Sequence, residues 1–198
     1  MKPLRCIIMC GGQSKRMGTD KGLIPLQNSC WAAFMVDKLT AMNLPVSISI
    51  NLSQLSDYSK FFPKEKFVLD VLEIAGPLNG LLSAHLKFPN DDLLLLACDM
   101  INMQAETLTR LVNSYASANG YDFYVYQNRT YAEPFCGIYT SKGLSEILLQ
   151  SEKSALSGVS MQSILNLKST KRLPITENGS FKNYNTPNEI VNDPLFPE

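Results

Sequence analysis

The sequence predicts a doubly wound α/β fold with a mostly parallel sheet, on three observations. Apolar runs of strand length alternate with stretches of helical periodicity through the first half of the chain. Residues 93–98 contain four consecutive leucines, a run with no polar face, as a central parallel strand buried on both sides requires. Residues 4–10 form a second apolar run that stops abruptly at Gly11-Gly12.

Ile7 and Ile8 mark residues 4–10 as the first strand. Residues 11–28 are polar, carry glycines and lack periodicity, so they read as a long loop. Trp31, Phe34, Met35, Leu39 and Met42 recur at helical spacing, and Pro45 follows as a stop. Val46, Ile48 and Ile50 alternate with Ser47 and Ser49, a second strand ending at Asn51, and residues 67–69 make a short third. Residues 76–80 (GPLNG) read as a turn with Pro77 in its second position, leading into a helix with Leu81, Leu82, Ala84 and His85. The leucine run 93–98 ends at Asp99. Leu108, Leu111 and Val112 share one side of a helix over 106–116. Residues 121–126 and 135–139 are strand candidates that introduce antiparallel pieces, 144–149 and 161–167 are short helices, and the tail past Asn188 reads as loosely ordered. No repeat, low-complexity block or linker divides the chain, so residues 1–198 are expected to form one domain.

Composition narrows the function. The chain has 18 Lys+Arg against 18 Asp+Glu, and 45% of its residues are hydrophobic. That apolar content excludes disorder as the main state, and the zero net charge argues against a generic polyanion binder. The only histidine, His85, rules out a His-rich metal site and reads as a packing residue between leucines. Five cysteines with no C-x-x-C spacing argue against a disulfide framework or zinc ribbon and for buried thiols. The apolar run after the basic start is too short for a signal peptide or membrane span. A cytoplasmic location is therefore expected.

In such a sheet ligands bind outside the carboxyl ends of the strands. Three polar features fall there: the loop after Cys10, the turn after residue 69, and Asp99. Glycines after a strand let backbone N–H groups approach an anion. Arg16 offers a planar fork for phosphate oxygens, and Lys15 and Lys21 are compact cations. The loop is neither a Walker A nor a dinucleotide fingerprint, and its composition fits a solvated basic loop equally well. Asp99 suits Mg²⁺ bridged to phosphates, or an ordinary turn-starting aspartate, and Asp70 has the same two readings.

Together these segments resemble the nucleotidyltransferase family that contains the molybdenum cofactor guanylyltransferases. GGQSKRMGTDKGLIPL resembles its N-terminal signature, GPLNG its G-P-L-x-G loop, LLLLACDM its metal-binding strand end and NYNTPNEI its C-terminal motif. The four blocks occur in order across nearly the whole chain. The resemblance implies a three-layer, Rossmann-like nucleotidyltransferase fold. It also implies transfer of GMP from GTP to the phosphate of molybdopterin, with release of pyrophosphate and with Mg²⁺ as cofactor. Carried over by position, Met9, Cys10, Gly11, Gly12, Ser14, Lys21, Asn51, Asp70, Gly76, Pro77 and Asp99 would contact the nucleotide. Arg16, Lys21 and Asp99 would be catalytic, Asp99 would hold the metal, and Asn183 and Asn185 would bind the acceptor. Delivery proteins for the pterin are further expected partners; nucleic acid and membrane are not. Cys10 stands where the family usually has alanine.

Such chemistry needs no protein nucleophile, because the attacking phosphate is already anionic. The alternatives are transfer of another nucleotide or to another acceptor, such as CTP with molybdopterin or a sugar phosphate, and a non-catalytic nucleotide-binding protein. The overall neutrality conceals a local asymmetry: within the first 21 residues Lys2, Arg5, Lys15, Arg16 and Lys21 face Asp20 alone.

Overall fold

A computed structural model of the chain describes residues 2–11, 19–26, 28–153, 160–176, 178–182, 184 and 189. Its elements, in chain order, are β1 (Leu4–Met9), β2 (Pro25–Leu26), β3 (Ser29–Cys30), α1 (Trp31–Thr40), β4 (Val46–Ile50), α2 (Leu55–Tyr58), β5 (Phe67–Leu69), α3 (Pro77–Lys87), β6 (Asp92–Ala97), α4 (Ala105–Ser117), β7 (Phe123–Gln127), β8 (Ala132–Tyr139), α5 (Ser141–Lys153), α6 (Met161–Leu167) and β9 (Thr170–Pro174). Among the described residues seven strands form one sheet in the order β5-β4-β1-β6-β8-β7-β9. Only β8 runs against the others.

The pleat sorts the apolar side chains into two cores. On one face Cys6 and Ile8 of β1 and Leu94 and Leu96 of β6 pack with Trp31, Met35 and Leu39 of α1 and Leu108 and Leu111 of α4. On the other, Ile7, Met9, Leu93 and Leu95 pack with Leu78, Leu81 and Leu82 of α3, Leu144 and Ile147 of α5, and Ile164 and Leu165 of α6. This is the three-layer, doubly wound arrangement, with β1 and β6 buried on both faces because both faces carry helices. None of the described helices is long and apolar enough to cross a membrane. All five cysteines are free and buried, and burial pushes the Cys6 thiol up to about 12.

Four local features differ from the sequence reading. The GPLNG segment is not a separate turn: Gly76 is the N-cap of α3 at φ 79° and Pro77 opens the helix, the position where a missing N–H costs nothing. The loop 11–28 contains β2, which pairs antiparallel with β3 just beyond it. The segment 51–58 folds into a 3₁₀ turn (Leu52–Gln54) and α2. Finally, β9 joins the sheet beside β7; its charged residues gave no apolar alternation to recognise.

The end of the sheet away from the strands' carboxyl termini carries buried polar groups, and Asp92, Tyr115 and Ser141 there line a cavity of about 290 Å³. Asp92 accepts from Tyr115 Oη (2.6 Å) and from the backbone N–H of Ser141 (2.7 Å). His85 is buried and its Nε2 pairs with Ser145 Oγ (3.0 Å), so it packs, as its leucine neighbours suggested. Burial above all, and then Lys2, lowers its pKa, which favours the neutral ring.

Candidate functional site at the carboxyl edge of the sheet

Four adjacent strands, β5, β4, β1 and β6, end side by side, and the residues that follow them build the site. After β1 the backbone N–H groups of Cys10 and Gly11 donate to Ser49 O at 2.9 and 3.1 Å. That places Gly11 close to Asp70, which follows β5: a Cβ on Gly11 would lie 3.4 Å from Asp70 Oδ2. Gly80 of α3 is more tightly enclosed. A Cβ there would lie 2.5 Å from Ser49 Oγ and 2.6 Å from Met9 Cε, so glycine is what lets α3 approach the strands.

Between these elements lies a cavity of about 340 Å³ lined by Met9, Gly11, Asn51, Asp70, Ile74, Gly76, Pro77, Asn79 and Gly80. Six of these positions were assigned to the nucleotide from the sequence; Asn79 and Gly80 belong to the GPLNG block without an assigned role, and Ile74 was not singled out. Asn79 has a definite local role. Its Oδ1 accepts from Leu72 N (3.2 Å) and from Ser83 Oγ (2.9 Å), and its Nδ2 donates to Leu72 O (2.5 Å), while Ser83 Oγ also accepts from Val71 N (3.0 Å). The segment after Asp70 is thereby fixed to α3. Asn51 Oδ1 accepts from Gln54 N (3.2 Å) and Ser53 Oγ (2.6 Å), which caps the 3₁₀ turn and fixes this wall of the cavity. Asp70 is half-buried with Ser49 Oγ at 3.4 Å. Burial raises its pKa, and the serine hydrogen bond lowers it only in part.

On the other side of β1, Lys21 meets Asp99. Lys21 Nζ donates to Asp99 Oδ2 at 2.7 Å, and the two side chains are 18% and 15% exposed. Lys21 is presented by a 3₁₀ turn (Lys21–Leu23) capped by Asp20, whose side chain accepts from Gly22 N at 3.0 Å. Asp99 stands just beyond β6. The loop after it is closed by apolar weight: Met100, Ile101 and Met103 are buried. Lys38 of α1 clamps the same loop by donating to Ile101 O (2.7 Å) and Met103 O (2.9 Å). Burial lowers the Lys38 pKa.

Glu133 is a member of this region that motif reasoning did not assign. It lies on β8, three residues before Cys136, which pairs with Leu96 of β6. An irregularity in the β7–β8 ladder brackets Pro134, Phe135 and Cys136. Burial raises the Glu133 pKa, and the charge of Asp99 adds to the rise. The signal available in the sequence was a carboxylate beside a proline in a strand, which is too common to single out.

Met9, Cys10, Gly11, Asn51, Asp70, Gly76, Pro77, Lys21 and Asp99 thus all sit at the carboxyl edge of the sheet. Gly12, Ser14, Lys15, Arg16, Asn183 and Asn185 lie outside the described residues. Tyr184 is buried against Trp31, with ring centroids 5.7 Å apart, and accepts from Asn102 Nδ2 at 2.7 Å.

Fold and site together define an α/β protein with a cavity at the carboxyl edge of its sheet, where proteins of this class bind ligands. Comparison with known proteins narrows that class. The chain belongs to the MobA-like NTP transferase family, whose model matches residues 6–170. Among curated proteins it is 27% identical over 181 residues to a probable molybdenum cofactor guanylyltransferase of Flavobacterium johnsoniae, covering 89% of this chain and 92% of that one. It is 26% identical over 191 residues to the molybdenum cofactor guanylyltransferase of Haemophilus influenzae, covering 94% and 95%. Among solved structures, the molybdopterin-guanine dinucleotide biosynthesis protein A of Archaeoglobus fulgidus matches with a TM-score of 0.70 at 21% identity, over 93% of this chain and 94% of that one. The last likeness concerns the fold.

Proposed function

We propose that this protein transfers GMP from GTP to the phosphate of molybdopterin, releasing pyrophosphate. The observation that carries the reading is the adjacency of two features at neighbouring strand ends. One is the cavity bounded by Gly11 and Asp70; the other is the Lys21–Asp99 pair. The first suits a nucleoside and the second its triphosphate. The names of the curated relatives support GTP and molybdopterin as the substrates.

In this reading a phosphate oxygen of molybdopterin forms a bond to the α-phosphorus of GTP, and the bond from that phosphorus to the oxygen bridging to the β-phosphate breaks. Pyrophosphate leaves with the electron pair, and no atom of the protein joins either product. The protein's part is to hold both substrates in line and to offset charge. Asp70 accepts hydrogen bonds from the donor groups of a purine edge, and the narrow approach at Gly11 and Gly80 admits a flat ring. Lys21 leaves Asp99 for the phosphates when a triphosphate enters. A cation–anion contact near 4 Å is worth about 4 kcal/mol at an effective dielectric near 20, before desolvation. Asp99, released from Lys21, would be the residue that holds Mg²⁺. The donor chemistry fits: one hard carboxylate oxygen at a phosphate site is how Mg²⁺ is usually held, with phosphate and water completing its shell. Among the described residues no group of three or more His, Cys, Asp or Glu stands ready to hold a metal without substrate. Bound there, Mg²⁺ would neutralise charge developing on the leaving pyrophosphate. The free, buried cysteines agree with a reducing cytoplasm.

The test is an assay of pyrophosphate release with molybdopterin, Mg²⁺ and each of the four nucleoside triphosphates in turn. Release with GTP well above the other three is expected. A preference for CTP would make this a cytidylyltransferase, and no release with any of the four would remove the transferase reading.

A further inference from the structure

Asp20, immediately before Lys21, has a carboxylate hydrogen-bonded on both oxygens. Its Oδ1 accepts from Gly22 N (3.0 Å) and from Tyr58 Oη (2.8 Å), and its Oδ2 accepts from Gln54 Nε2. Gln54 is itself fixed on every polar atom of its amide. Nε2 also donates to Cys10 O (3.0 Å), and Oε1 accepts from Asn51 N (2.9 Å). The reversed amide would set its oxygen against the Cys10 carbonyl and the Asp20 carboxylate, so the orientation is unique. Tyr58 is completely buried and rests on Phe62 and Phe67. The lysine-bearing turn is pressed against it: a Cβ on Gly22 would lie 2.1 Å from Tyr58 Oη. One polar network thus runs from Asn51, on the wall of the cavity, through Gln54 to Asp20 and the turn that presents Lys21.

We propose that Gln54 and Tyr58 are positioning residues for Lys21, acting through Asp20, and that Gln54 sets the reach of Lys21 relative to the nucleoside cavity. The inference rests on the phosphate role of Lys21 proposed above. A lysine stem is flexible, so its head is placed only as well as the backbone that carries it. Two buried donors on the preceding carboxylate fix that backbone from the 51–58 segment, and substrate need touch neither residue.

The experiment is a double-mutant cycle with Tyr58→Phe and Lys21→Ala, read in kcat for GMP transfer to molybdopterin and in calorimetric affinity for GTP and for GMP. Tyr58→Phe keeps the ring and removes one hydrogen bond to a charged group. It is expected to lower kcat and GTP affinity each about tenfold and to leave GMP affinity unchanged. In the Lys21→Ala background the same substitution is expected to add nothing. Equal losses in both backgrounds, or full activity of Tyr58→Phe, would overturn the inference. Should Tyr58→Phe fail to fold, Gln54→Met is expected to lower kcat and GTP affinity in the wild-type background and to add nothing in the Lys21→Ala background; equal losses in both backgrounds, or full activity, would overturn the inference. If the wild type binds GTP without transferring GMP, the proposed reaction fails, and the cycle read in GTP affinity still decides the role of Tyr58. If the wild type does not bind GTP, both fall.

Discussion

Asp99 and Lys21 neutralise each other across 2.7 Å, although neither has an assigned place in the core. Replacing Asp99 with Asn keeps the shape and removes the charge. The expected result is a loss of kcat of at least about a hundredfold with an unchanged melting temperature; near-normal turnover at saturating Mg²⁺ would contradict the metal role. Asp70 yields a pH prediction. Burial lifts it above its ordinary value of 3.8, so between that value and the raised one the folded protein holds a proton that the unfolded chain has released. Its contribution to stability is therefore present below pH 3.8 and is lost as pH rises through the folded pKa. Asp70→Asn removes this dependence. The difference in melting temperature, variant minus wild type, is expected to move in the variant's favour as pH rises through that window, and a flat difference would contradict it. Of these residues the sequence disclosed identity and chain position. It did not disclose that Lys21 and Asp99 touch, because they lie 78 positions apart, nor that the charge of Asp99 is felt at Glu133, because that depends on how β8 joins the sheet.

The elements legible in advance were those whose burial is periodic or complete. β1, β4, β6 and α1 fall where the apolar pattern placed them, within a residue or two. Those that escaped are held by other forces. The 51–58 segment is fixed by the Asn51 cap and the amide of Gln54. β9 contributes backbone pairing from a largely polar strand. α3 shows how close packing constrains sequence without a hydrophobic signal. Gly80→Ala would force a Cβ to within 2.5 Å of Ser49 Oγ and 2.6 Å of Met9 Cε. The expected cost is about 1–3 kcal/mol in chemical denaturation, together with weaker nucleotide binding. Gly76→Ala meets no neighbour within 4 Å but must adopt φ 79°. About 1 kcal/mol is expected there from backbone strain alone.

At the scale of the whole molecule, the two cores on either side of the sheet are what make the cleft possible. β1 and β6 are clamped by helices on both faces, so their carboxyl ends are rigid enough to carry Gly11 and Asp99 in fixed relation. The continuous leucine run of β6 announced this arrangement, and the alternation of strands and helices announced the winding. The order in which β8 and β7 join the sheet was not announced, because antiparallel and parallel neighbours need the same apolar faces. Opposite the cleft, Asp92, Tyr115 and Ser141 are joined by hydrogen bonds and line a second cavity of about 290 Å³. The concentration of cations near the N-terminus then acquires a place: Lys21 comes to the cleft, whereas Arg5 pairs with Asp91 and Lys2 with Ser141, at the far end.

The most direct measurement of the central claim is the mass of the product formed by the wild type from GTP, Mg²⁺ and molybdopterin. The account predicts molybdopterin enlarged by one GMP unit, with pyrophosphate released in equal amount. Phosphorylated pterin with GDP, or unaltered pterin beside hydrolysed GTP, would contradict it.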